Sequence, residues 1–189
     1  MQRKRLFIAI IQSPRNAGAI TRGFKMGWIN ADLVQLDEGA EVVAPIIAYA
    51  EIHTHDGVTA QSIPTGLTYT KITSLTDNGA SSNCTADAAN NKITITEAGD
   101  YKIDSSMSFF SSVNNTVFFV SAFAGGVEQN NIHFTRKVAT AADIGNASAC
   151  GIATINTVPV DLDFRVRHDG AGSTDLTIQY MNINAIKLN

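Results

Sequence analysis

Cysteine is nearly absent from this chain of 189 residues: Cys84 and Cys150 are the only two, 66 positions apart and without C-x-x-C spacing. A zinc knuckle and a thioredoxin-type redox pair are therefore excluded, and buried free thiols are expected, since unpaired cysteine is usually buried. Charge is sparse as well. Only 16% of the residues are Asp, Glu, Lys or Arg, against 44% hydrophobic, a composition that rules out wholesale disorder and leaves the surface to neutral polar groups. No stretch reaches the roughly 18 apolar residues that a membrane-spanning helix needs. The apolar run at residues 6–11 is shorter than a signal-peptide core and no small-residue cleavage site follows it, so the chain is read as mature and soluble.

One absence is local. No acidic residue precedes Asp32, whereas Arg3, Lys4, Arg5, Arg15, Arg22 and Lys25 give the first 31 residues a charge of +6. The remaining eight basic and 17 acidic residues leave the rest at −9. Gly18, Gly23, Gly27 and Gly39 interrupt this first quarter and no long period survives in it. Residues 1–45 are therefore expected to form a basic arm on an acidic domain that spans residues 46–189. Clustered Arg and Lys would suit nucleic acid, but aromatic residues do not interleave them, and a protein-docking arm is the better expectation.

From residue 67 onward the pattern has period two. Lys92-Ile93-Thr94-Ile95-Thr96 alternates cleanly after a turn at Asn90-Asn91, and Glu97-Ala98-Gly99-Asp100 is expected to reverse the chain. Tyr101, Ile103, Ser105, Met107 and Phe109 then share one side of a half-buried strand. Residues 116–124 are apolar on both faces, so the strand is either central to a sandwich or covered by another subunit. Gly125-Gly126 is a hairpin signal, and residues 147–155 form a strand of small side chains. Val160, Leu162, Phe164 and Val166 alternate with Asp161, Asp163, Arg165 and Arg167, and Leu176, Ile178 and Tyr180 with Thr177 and Gln179. Many short, turn-punctuated strands without a long amphipathic helix define an all-β, antiparallel two-sheet sandwich or jelly roll.

Catalytic chemistry is not legible. No nucleophile stands beside a base, and no phosphate-cradling or Rossmann glycine motif is present. His133 and His168 fall in strands, and Asp161 and Asp163 read as a solvated face balanced by Arg165 and Arg167 rather than an acid pair. Asn83, Asn114 and Asn146 head N-x-S/T sequons, which matter only in a secreted eukaryotic chain.

The segment at residues 90–110, N-N-K-I-T-I-T-E-A-G-D-Y-K-I-D-S-S-M-S-F-F, resembles the hallmark of the complement-q globular-head and tumour-necrosis-factor-like superfamily. V-P-V-D-L-D-F-R-V-R and L-T-I-Q-Y-M-N-I-N-A-I-K-L resemble that family's last two strands. The likeness covers about residues 47–188, and the bacteriophage members are the nearer in flavour. It implies a jelly roll of about ten strands that assembles as a homotrimer, with Phe118, Phe119, Tyr180 and Ile183 expected at the subunit interface. It also implies a virion exterior protein, such as a capsid decoration, head fibre or tail-fibre knob. Its arm would dock on major capsid or tail proteins, and its loops on a host receptor or glycan. A secreted trimeric lectin-like or receptor-binding ligand is the alternative.

His53-Thr54-His55-Asp56-Gly57 resembles the H-x-H segments of phage fibre proteins. Residues i and i+2 of a strand face one side, so three chains would bring six imidazole nitrogens to a three-fold axis, a set suited to a divalent metal such as iron. No other cofactor is expected.

Overall fold

A computed structural model describes residues 47–188. The expected arm, with its six basic residues, lies outside them. Twelve strands follow in order: β1 (Tyr49–Thr54), β2 (Ala60–Ile63), β3 (Thr70–Lys71), β4 (Asp77–Ser82), β5 (Cys84–Asp87), β6 (Lys92–Ile95), β7 (Gly99–Phe110), β8 (Thr116–Ala124), β9 (Val127–Val138), β10 (Gly145–Ile155), β11 (Val160–His168) and β12 (Thr174–Lys187). Among the described residues the helical content is one 3-10 turn, Ala88–Asn90, closed by Asn91 in the left-handed region.

The first sheet has the order β10-β7-β12-β1-β4, with β2 also paired to β12. The second has the order β5-β6-β11-β8-β9, with β3 paired to β11. Every pair is antiparallel. From β9 onward the chain alternates between the sheets, which makes the sandwich a jelly roll. Its core lies between the sheets, where Phe109 of β7 meets Phe118 of β8 edge to face at 5.5 Å, a geometry favoured by the ring quadrupoles.

The alternations in β6, β7 and β11 hold. Ile93, Ile95, Tyr101, Ile103, Met107, Phe109, Leu162, Phe164 and Val166 are all buried. Gly125 and Gly126 form the β8–β9 turn with φ of 58° and 81°, values that a residue bearing Cβ rarely adopts. In β10 the small side chains answer to proximity, because a Cβ on Gly151 would lie 2.7 Å from Ile132 of β9.

Three expectations need correction, and one gains detail: residues 97–98 carry the chain from the second sheet to the first. That crossing is fixed by Tyr101, whose hydroxyl donates to the Glu97 carbonyl at 2.9 Å, and by Lys187, 3.1 Å from the Glu97 carboxylate. Cys150 is exposed, and only Cys84 is a buried thiol. Asp163 is not solvated but 6% exposed, held by Arg165 at 2.7 Å and Lys71 at 3.9 Å.

The third correction concerns the subunit interface. Phe118 and Ile183 are fully buried within the chain's own core, so neither has a face left for a neighbour. Ile183 is there because a β-bulge between Ile178 and Tyr180 inserts Gln179 into β12: Ile178 pairs with Phe109, but Tyr180 pairs with Ser108. Side chains alternate with period two, so one extra residue inverts the facing of everything after it. Tyr180 turns outward, while Met181, Ile183 and Ala185 turn into the core.

Candidate interaction surface

The outward side of the second sheet is sealed by its own chain. Phe123 of β8 is covered by Tyr69, edge to face at 5.1 Å, and by the Arg165 guanidinium at 4.3 Å. Arg167 lies over both Tyr69 and Phe119, at 4.8 and 4.9 Å. The apolar outer face of β8 is thus met by aromatic and guanidinium planes from the same molecule, each worth roughly 0.5–2 kcal/mol according to its desolvation. Phe119 is half-buried beneath that layer.

Among the described residues no such layer lies on the outward side of the first sheet. Cross-strand register arranges it in rows: Asn146, Ser108 and Tyr180; then Ser148, Ser106, Asn182, His53 and Asp77; then Cys150, Asp104, Asn184 and Glu51; then Ile152, Lys102, Ile186 and Tyr49. Tyr180 is 51% exposed, Ile152 53% and Ile186 41%. A groove of about 860 Å³ runs over this face, lined in part by Glu51, His53, Ser106, Ser148, Tyr180 and Asn182. Asn184 donates to the Asn182 side chain and Asn182 to the Glu51 carboxylate, a polar chain across β12 and β1.

The segment after β1 is clamped over the bulge. Gly57 donates its amide to the Gln179 carbonyl at 3.0 Å, and a Cβ at Gly57 would lie 2.1 Å from the Ile178 oxygen, so only glycine fits. Asp56 takes a positive φ of 52° and accepts the Tyr180 hydroxyl at 2.5 Å. That carboxylate holds the phenol above its ordinary pKa.

His53 lies opposite Asp77 of β4 in the ladder. The His53 and His55 rings have centroids 6.4 Å apart, and His55 Nδ1 is 3.6 Å from the Asp77 carboxylate. One donor atom from each of His53, His55 and Asp77 falls within 4.8 Å of the others. Thr76 donates to Asp77 at 2.6 Å and its amide donates to the His53 carbonyl at 3.1 Å. His53 Nδ1 is shut off from solvent with no hydrogen-bond partner, an arrangement that ordinarily costs about 1–3 kcal/mol. The H-x-H pattern pointed to two of these side chains. Asp77, 22 positions beyond His55, carried no local signal and is brought in by the β1–β4 pairing.

The remaining candidates for chemistry are occupied elsewhere. His168 is buried, with Nε2 3.3 Å from the Ile63 carbonyl and Nδ1 accepting from Gly170 at 3.0 Å, so both ring nitrogens are engaged in structural contacts. His133 is exposed and bonds locally to the Asn130 carbonyl. Asp161 is engaged by Lys92 at 2.9 Å and Thr94 at 2.8 Å. The hydrogen bond from Lys92 keeps its carboxyl below the usual range. Its neighbour Asp104 pushes the Cys150 thiol up, away from the reactive thiolate.

The fold is all-β, an antiparallel jelly roll, as the resemblance implied. Among solved structures the chain is similar to the PRD1 vertex protein P5, with 17% identity over 77% of this chain and 100% of that one, at a TM-score of 0.48. It is also similar to Eiger TNF from S. frugiperda, with 12% identity over 75% and 94% and a TM-score of 0.48. Murine APRIL gives 14% identity over 74% and 99%, at 0.43. No protein-family model and no curated protein matches the chain in sequence.

Proposed function

We propose that this chain is a non-enzymatic, homotrimeric protein of a virion exterior, a capsid decoration or fibre knob, whose residues 1–45 anchor it and whose jelly roll projects outward. The observation that carries the reading is the contrast between the two outward faces. One is roofed by its own chain. The other leaves Tyr180 exposed beside short Ser and Asn side chains and Ile152 and Ile186 exposed on either side of Lys102, a surface that another subunit can cover. Burying apolar area removes roughly 25 cal/mol per Å² from contact with water, and a contact repeated around a closed ring satisfies every copy equally.

Tyr180 is the leading interface residue on this reading. It is outward, amphipathic and held in place by Asp56, the properties of an aromatic anchor at low entropic cost. Phe119 is a lesser candidate because Arg167 already lies over it. The arm supports the anchoring half of the reading through its charge, +6 in its first 31 residues against −9 in the remainder. Major capsid or tail proteins are its proposed partners, and the loops between strands are left for a host receptor or glycan.

Light scattering coupled to size exclusion tests the assembly, with a mass of three chains expected at micromolar concentration. A monomer there would overturn it. Deleting residues 1–40 tests the anchor: the truncated protein should still form the trimer and no longer bind particles, and retained particle binding would count against an anchoring arm.

A further inference from the structure

The geometry points to a mononuclear site for a divalent transition-metal ion, filled once per chain and made by His53, His55 and Asp77. All three donors belong to one molecule, so the inference stands apart from any association between copies. Two imidazoles and one carboxylate suit zinc, iron, cobalt or nickel, whereas calcium and magnesium prefer shells made of oxygen.

The distances are within reach of coordination. Bonds of about 2.0–2.1 Å in tetrahedral geometry place neighbouring donors about 3.3 Å apart. The donors already converge to within 4.8 Å, so closure needs side-chain movements of about 1.5 Å. His55 is 64% exposed and Asp77 43%, which leaves the imidazole room to make most of that movement. His53 sits deeper, its Nδ1 closed to water and without a hydrogen bond, the Glu51 carboxylate lying 3.8 Å away. An imidazole nitrogen in that condition gains a partner when the ring turns toward an ion, or when the ion fixes the tautomer.

The supporting groups are in place around the three donors. Thr76 orients Asp77 through its hydroxyl at 2.6 Å, the outer-shell bond that typically fixes a ligating carboxylate. Gly57 and Asp56 clamp the chain beyond His55 onto β12, so His55 is presented from a fixed segment. Three protein donors leave at least one coordination position for water. Bound there, the ion would tie the end of β1 and the segment after it to β4.

The test uses the full chain, stripped of metal by chelation and titrated with Co²⁺ while its visible absorption is followed. One equivalent per chain is expected at saturation. His55→Ala and Asp77→Asn should each weaken binding at least tenfold, whereas His133→Ala, at an exposed histidine of β9 on the other sheet, should bind as the parent does. Metal-free melting curves superimposable on the parent's would verify that folding is kept. Added Zn²⁺ should raise the melting temperature of the parent and of His133→Ala, and of neither ligand variant. Saturation at one ion per three chains, as a shared axial ion would give, would overturn the inference. So would unchanged binding by Asp77→Asn, or no saturable binding by the parent. If Asp77→Asn fails to fold, His55→Ala alone decides by the same readouts.

Discussion

The two sheets enclose one core and treat their outer faces in opposite ways. On the second sheet the guanidinium groups of Arg165 and Arg167 lie over Phe119, Phe123 and Tyr69, and Arg165 also pairs with Asp163 of its own strand. Apolar area, positive charge and buried carboxylate are balanced inside one subunit. On the first sheet the outward rows mix Ser, Asn, Tyr and Ile with Glu51, Lys102 and Asp104, and among the described residues no aromatic or guanidinium layer lies over them. A face can therefore be richly apolar in sequence and finished in structure, or modest in sequence and left open. Which of the two obtains depends on where the long cationic side chains come to rest.

The harshest way to break the comparison is to remove what both sheets share. Phe118→Ala should cost about 3–5 kcal/mol by opening a cavity opposite Phe109, read as a lowered midpoint in chemical denaturation. Next is the seal. Arg165→Met keeps bulk over Phe123 but strips the main partner from Asp163, which is 6% exposed, and should cost about 2–4 kcal/mol. Adding Asp163→Asn should return part of that loss in the same assay, and no recovery would mean that the arginine acts through packing alone.

Tyr180→Arg sharpens the other half. An exposed side chain contributes little to folding, so stability should change by less than about 1 kcal/mol, while the scattering mass should fall from three chains to one. The smallest effect concerns acid. Asp161 is held below its usual pKa by the hydrogen bond from Lys92. Burial works against ionisation of Asp175, yet bonds from Ser112 and Ser111 outweigh it and lower that pKa too. A depressed carboxylate adds stability above its unfolded pKa and loses it as pH falls through its folded pKa. Melting temperature should therefore drop below about pH 4, and Asp175→Asn should be less stable than the parent at neutral pH but flatter through the acid limb.

Much of the core was legible because a strand with one wet face writes its own alternation. Ile93 and Ile95, the odd positions of β7 and the even positions of β11 all followed it. The resemblance of residues 90–110 gave the fold type, which the strand order bears out. Several of the failures share one cause, dependence on a partner distant in sequence. Nothing local says that Gln179 is a bulge, so strict alternation groups Tyr180 with Leu176 and Ile178 and leaves Ile183 outward, when it belongs to the core. Nothing local says that Tyr69 and two arginines roof β8, or that Asp77 comes to lie opposite His53. Alternation reports which face a residue takes, not what arrives to cover it.

The extra residue in β12 sets an asymmetry in what the chain can tolerate. Losing Gln179 would turn the strand beyond it inside out, exposing Met181, Ile183 and Ala185 and forcing Asn182 and Asn184 between the sheets, while every amino acid on either side stayed the same. Exchange of one outward side chain for another leaves that phasing untouched. Along this strand, then, variation is open to replacement and closed to changes of length, and the one-residue deletion is the more damaging event even though it removes a polar surface glutamine.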